Sequence, residues 1–467
     1  MGFINDLPVE ILLQIISECQ LPANVSTPIV GSNAAWKPLS NFVYHDPSLS
    51  AIGFGHDTTY NSALKSLRLT NKAMNILAQP YLFQEVNLLY NLSSKRGQSV
   101  QKYVIEPHGA HVRVIRMDID AERGPVLDEM DIEQDPQEPS SQVKSMAAIL
   151  AACPNVGSLG LFYRRWNTDF APITDKVMKM IERGSLVALG VYSLQVTDNP
   201  WAVMFINGGK CGSIEFLNTI STVSTPNLKA LDIVNEWMPP ETYAHLQKSP
   251  AFAQLSSLTV RYAFRHALLW VPDPAKRLSG WAPRAHLTRL QLISCQTAYA
   301  PDIPILVGLF EALEELLVST CGYREDVIPP PRSTGWSAYP DALWKRKTAL
   351  KEFVIEHMDR WEILALGVIP AQTVICANVQ PGAMLKALEE DKELFPGIKV
   401  LRVLPNRVYR RDELYESSED DEEDGTHDVI RSGSVEKRLD TVCGERKVEL
   451  RRDASRYRPC TCCSYSY

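Results

Sequence analysis

The sequence predicts an α/β chain in three parts: a small helical module, a long array of parallel strands, and a disordered C-terminal tail. Three observations predict it. Apolar residues near the N-terminus fall at helical spacing. A short aliphatic template recurs through the middle. From about Arg410 onward a run of carboxylates replaces any core pattern.

The helical module comes first. Asp6 suits a helix cap, and Pro8 fits the first turn, where a missing N–H costs nothing. Ile11, Leu12, Ile15, Ile16 and Cys19 then line one apolar face. A second helical pattern runs through Leu64, Leu67, Ala73, Met74, Leu77 and Ala78, with Pro80 as its expected boundary. Between the two lies a stretch rich in Pro, Ser, Asn and Gly, residues 20–63. It reads as an inserted surface loop, tolerable because loop-closure entropy grows slowly with length.

The strand array follows. The template aliphatic-x-x-aliphatic-x-aliphatic starts at Val112, Val156, Leu186, Leu228, Leu255, Leu287, Leu313, Leu350 and Ile398, in steps of 26 to 48 residues. Turn-forming pairs such as Pro154-Asn155 and Pro226-Asn227 precede several copies. Cys295 and Cys321 follow two of them by three residues. Polar or proline-rich excess, as in 121–145 and 326–339, reads as loops inserted between repeats. Side chains alternate across a strand, so the template aliphatics point into the core. The residues between and after them are then expected on an open sheet face. They are Arg116, Asp118, Phe162, Tyr192, Asp232, Thr259, Arg261, Gln291, Glu315, Glu356 and Arg402. Mixed charge with two aromatics suits a protein surface.

The tail differs in kind. The formal charge is -7, yet residues 412–428 alone hold ten acidic side chains and no Lys or Arg. Like charges repel and the stretch has no apolar area to bury, so disorder is expected over 410–467. Ser417 and Ser418 sit in an acidophilic-kinase context. Cys460, Cys462 and Cys463 supply three ligands where a metal site needs about four with workable spacing, and Cys443 is the only nearby candidate for the fourth, so no metal site is expected.

Composition limits the rest. The 467 residues are 45% hydrophobic and 22% charged, near the globular average. The body outside the tail is close to neutral, so no nucleic-acid partner is expected. The opening MGFINDLPVE lacks the basic and apolar regions of a secretory signal. The most apolar long stretch, 363–379, contains Pro370, Gln372 and Asn378 and falls short of the ~20 residues of a membrane span. No membrane partner is expected, and the location is read as cytoplasmic or nuclear. Gly208-Gly209-Lys210 fails as a phosphate loop, because Met204 and Cys211 stand where Gly and Ser or Thr are needed. No enzyme motif, catalytic residue, cofactor or metal is predicted.

Two resemblances organise these readings. Leu7-Pro8-Val9-Glu10-Ile11-Leu12 with Ile15 and Ile16, and then Leu67-Arg68-Leu69-Thr70-Asn71-Lys72 with Pro80-Tyr81-Leu82-Phe83, resemble the two halves of an F-box. The Leu287 and Leu313 copies with their cysteines resemble the leucine-rich repeat. Residues 1–90 then form an F-box-like module, 91–409 an irregular leucine-rich-repeat solenoid with its parallel sheet on the concave face, and 410–467 the tail. The resemblance implies a substrate receptor of an SCF-type cullin-RING ubiquitin ligase. Its adaptor surface would hold Leu7, Pro8, Ile11, Leu12, Ile15, Leu67, Leu69 and Leu82. Its partners would be a Skp-type adaptor, a cullin through that adaptor, and a protein substrate on the concave face. The alternatives are a repeat scaffold outside any ligase and an enzyme with a site no motif reveals.

Overall fold

The computed structural model describes residues 8–12, 66, 69–70, 72–119, 141–163, 169–193, 212–223, 227–234, 249–261, 286–293, 303–319, 348–377, 379–403 and 432–452. The chain divides into two units, Met1–Ser256 and Ser257–Tyr467.

In the first unit, Pro8 begins a helical turn, its carbonyl accepting Ile11 N–H at 3.0 Å and Leu12 N–H at 3.1 Å. The helix Lys72–Leu82 follows. Pro80 was expected to end it, yet the helix runs two residues further, and Phe83 N–H still bonds Gln79 O at 3.2 Å. A proline removes only the bond its own N–H would make, here to Ile76 O, so a helix this near its end survives it.

Five parallel strands come next: β1 (Glu85–Leu88), β2 (Val114–Asp118), β3 (Ser158–Tyr163), β4 (Ala188–Ser193) and β5 (Ala230–Val234). Each pairs with the one before it. Helices Ser141–Ala152, Ala171–Glu182 and Gly212–Ile220 make the crossovers that parallel pairing requires. The template aliphatics Ile115, Leu159, Leu189 and Leu231 share one ladder row with Val86 of β1, and all are buried. One device recurs at each strand entry. The carbonyls of Gln84, Arg113, Gly157 and Val187 each accept two successive N–H groups of the next repeat, at 2.8 to 3.1 Å.

Among the described residues, the second unit has seven parallel strands in chain order. They are β6 (Ser257–Arg261), β7 (Arg289–Ile293), β8 (Glu315–Ser319), β9 (Leu350–Glu356), β10 (Ala371–Ala377), β11 (Val400–Val403) and β12 (Glu449–Arg451). Leu258, Leu290, Leu316, Phe353, Val374 and Leu401 form its buried row. Phe353 meets Phe395 edge-on at 5.8 Å. In each unit, parallel strands in chain order, recurring helices and the aliphatic template make a leucine-rich-repeat-like α/β fold.

All nine template copies coincide with strands. Three strands carry no copy. The step of 48 residues between Leu350 and Ile398 hides β10, because Ala371 and Cys376 stand where aliphatics were sought. The apolar stretch 363–379 is accounted for by β10 and the end of the helix Arg360–Leu366. The polar excess before the helix Ser141–Ala152 ends at 140, not 145.

The disordered tail needs a correction over 432–452. Ser432–Glu445 is a helix, and β12 pairs in parallel with β11. Val435, Leu439 and Cys443 recur every four residues and are buried, a narrow stripe among ten charged residues from Glu436 to Arg452. Arg446 donates to the carbonyls of Lys392 and Leu394 at 2.7 and 2.9 Å, and Arg438 pairs with Glu389. The acidic run 412–428, with Ser417 and Ser418, and the cysteines at 460–463 lie outside the described residues.

Candidate protein-interaction surfaces

The N-terminal module offers the first surface. Leu12 is 5% exposed and packs with Met74, against which Leu77, Tyr81 and Leu82 are partly buried. This contact joins the segment at 8–12 to the helix Lys72–Leu82, two pieces far apart in sequence. Leu12 therefore holds the module together, and its place in the expected adaptor surface is corrected. Pro8 is exposed, Ile11 is 42% exposed and Leu69 82% exposed. Val9 and Ile76 are exposed too, and sequence reasoning missed both. Val9 and Leu12 are three residues apart and share a face by spacing, so periodicity alone held no signal that Val9 is exposed. Leu7, Ile15 and Leu67 lie outside the described residues.

The other candidates are the sheet faces opposite the template aliphatics, one in each unit. Arg116, Asp118, Phe162, Asp232, Thr259, Gln291 and Glu356 are buried there, so the expected open face is corrected at these positions. Neighbouring strands supply part of the reason. Arg116 Nη1 donates to Asn87 Oδ1 at 3.1 Å, its ladder partner on β1. In the second unit, Glu315 accepts Nε–H of its ladder partner Arg289 at 2.5 Å, and both stay partly exposed. Arg402 is also partly exposed. The side chains of Tyr192 and Arg261, and Cys295 and Cys321, lie outside the described residues. At the carboxyl ends of β8 and β9, Ser319 and Glu356 are ladder partners, and His357 Nε2 lies 3.8 Å from Glu356 Oε1.

Perturbed titratable groups sit in structural places. Burial pushes the Cys153 thiol up to about 11 and raises those of Cys376 and Cys443. Glu362 is the sharper case. It closes a capping box at the helix Arg360–Leu366: Asp359 Oδ1 accepts Glu362 N–H at 2.9 Å, and Glu362 Oε2 accepts Asp359 N–H at 2.7 Å. Its Oε1 is buried with no hydrogen-bond partner. Burial raises the carboxyl to about 8, the Asp359 N–H opposes that, and the Asp359 charge adds to it.

This carboxyl makes stability depend on pH. The folded chain holds a proton that the unfolded chain releases near pH 4.5. The contribution is therefore complete below that pH and is lost as pH rises through about 8, by an amount on the order of 4 kcal/mol. Glu362→Gln should flatten the profile and stabilise the chain above pH 8. Urea unfolding at pH 5, 7 and 9 checks this, and parallel profiles for the two proteins would refute it.

Among the described residues, no helix is long and apolar enough to cross a membrane. Also among them, no group of three His, Cys, Asp or Glu is placed to hold a metal ion.

No protein-family model matches the chain, and no curated protein does. Among solved structures, it is similar to the leucine-rich repeat-containing protein LegL7 from Legionella pneumophila. Identity is 14% and the TM-score 0.38, over 68% of this chain and 90% of that one. It is also similar to a chain of the yeast Rad7 and Elc1 complex, at 13% identity and a TM-score of 0.33, over 80% of this chain and 94% of that one. The fold assignment rests on the ladders described above.

Proposed function

We propose that the chain is the substrate-recognition subunit of an SCF-type ubiquitin ligase. Its N-terminal module is F-box-like and docks a Skp-type adaptor, which connects it to a cullin. Its repeats hold a protein substrate. The receptor does no bond chemistry; it raises the local concentration of substrate lysines near the charged conjugating enzyme.

One observation carries this reading. Leu12 and Met74 close a small core that unites the two motif halves, while Pro8, Val9, Ile11, Leu69 and Ile76 keep apolar surface exposed. Burying four such side chains in a partner contributes roughly 1.5–3 kcal/mol each, a sum comparable in size to ordinary association costs. On the repeats, Glu315 and Arg402 keep the exposure that direct substrate contact needs.

Co-expression with the adaptor tests the proposal, and a stable one-to-one complex is the expected result. Leu7→Ala with Pro8→Ala should abolish that complex and leave the repeats folded. A folded double mutant that still pulls down the adaptor would sink the reading. Adaptor binding without cullin recruitment would move the chain to a scaffold outside the ligase.

A further inference from the structure

The helical segment between β1 and β2 carries charge that its own electrostatics disfavour. Ser94 caps it, its hydroxyl accepting Gly97 N–H at 3.2 Å. Lys95 and Arg96 follow at once, and no acidic residue stands in that first turn. The positive end of the helix dipole therefore meets two cations, at a cost of about 0.3–1 kcal/mol each. Such a local conflict is expected where function demands it.

The helix then changes pitch. Gln101–Ile105 is a π-turn, with Glu106 N–H bonded to Gln101 O. Pro107 supplies a reason, since it has no N–H to offer the Tyr103 carbonyl. Single π-turns inside helices are frequent at functional sites. This one places Lys102 Nζ 5.3 Å from the centroid of the Tyr103 ring, and Tyr103 is 64% exposed. Lys95 and Lys102 lie seven residues apart, about two turns, and so share a face. Lys95, Arg96 and Lys102 are all exposed, and among the described residues no carboxylate pairs with them. Arg96 also lies 4.5 Å over the Tyr90 ring, which fixes its position. Gly97 pins the helix down, because a Cβ there would meet Leu92 O at 2.3 Å.

We propose that this face, built from Lys95, Arg96, Lys102 and Tyr103, docks an acidic peptide segment of a partner protein. The cations supply charge complementarity and the tyrosine an apolar anchor with a polar tip. The field is local, because the body of the chain is close to neutral. A local field suits a short peptide better than a phosphate backbone, whose binding grows with the number of cations along its path. The surface shares no residue with the adaptor face, so its test stands apart from that reading.

The probe is a fluorescein-labelled ten-residue Glu/Asp peptide with one central leucine, titrated against the full chain by anisotropy at low ionic strength. Binding should weaken as salt rises. Lys95→Glu with Lys102→Glu should weaken it about tenfold or more, and Tyr103→Ala about threefold. Circular dichroism monitors folding; if the charge reversals unfold the chain, Lys95→Gln with Lys102→Gln takes their place with the same expected direction. Absence of binding by the unaltered chain, or equal binding by the double variant, overturns the proposal. So does a single-stranded oligonucleotide of equal length that binds as tightly as the peptide.

Discussion

Phe353→Ala should lower the unfolding free energy of the second unit by about 3–5 kcal/mol, the range for deleting a buried aromatic ring. Phe353 is fully buried in the aliphatic row, between Leu316 of β8 and Val374 of β10. Its edge-on partner Phe395 belongs to the turn before β11, so truncation opens a cavity between two repeats. Phe395 also holds a left-handed backbone at φ 54°, which limits how far it can shift to fill that cavity. Phe353→Leu keeps more of the volume and should cost about 1.5 kcal/mol or less. Urea unfolding of both variants is the check. An alanine variant within about 1 kcal/mol of the parent would mean that this row is not the core.

Gln142→Ala should cost the first unit about 3 kcal/mol, chiefly through lost hydrogen bonds, since little apolar surface goes with the side chain. Gln142 is completely buried at the start of the helix Ser141–Ala152. Its Oε1 accepts Leu92 N–H at 2.7 Å, and its Nε2 donates to Asp118 O at 2.9 Å and to Tyr90 O at 3.2 Å. One amide thus satisfies backbone groups from the segments leaving β1 and β2. Alanine strands three of them, and buried orphan groups cost about 1–3 kcal/mol apiece before any water enters. Hydrogen exchange should show the effect first at the Leu92 amide. Unchanged protection there would refute the role assigned to the side chain.

Much of the fold was legible because one short template encodes both burial and register. The spacing from Leu159 to Leu189 to Leu231 is the spacing of their ladder partners, so reading the template also read the sheet. The missed strands show what the template left out. Phe83 takes its first position before β1, and an aromatic fills that space as well as an aliphatic does. Around β12 only Leu450 survives, with Lys447 and Arg452 in the flanking positions, so the template search passed over it.

The interaction surfaces were less legible. Periodicity places Ile11 and Leu12 on one apolar stripe but does not say which edge of the stripe faces in. Only the position of Met74 decides that Leu12 is core and Ile11 is offered outward. The polar sheet face failed for a related reason. Alternation says that Arg116 and Asp232 point away from the aliphatic core. It does not say that they are open to water, which depends on cross-strand partners such as Asn87.

The acidic run 412–428 falls, in sequence, between β11 and the helix Ser432–Glu445, two elements of one folded unit. A single protease cut within 412–428 would break the covalent chain without shedding the segment 432–452. The two pieces stay clasped through Leu439 and Cys443, the β11–β12 ladder and the Arg446 bonds to Lys392 and Leu394. The nicked protein would migrate as two bands under denaturing conditions and as one species in its native state.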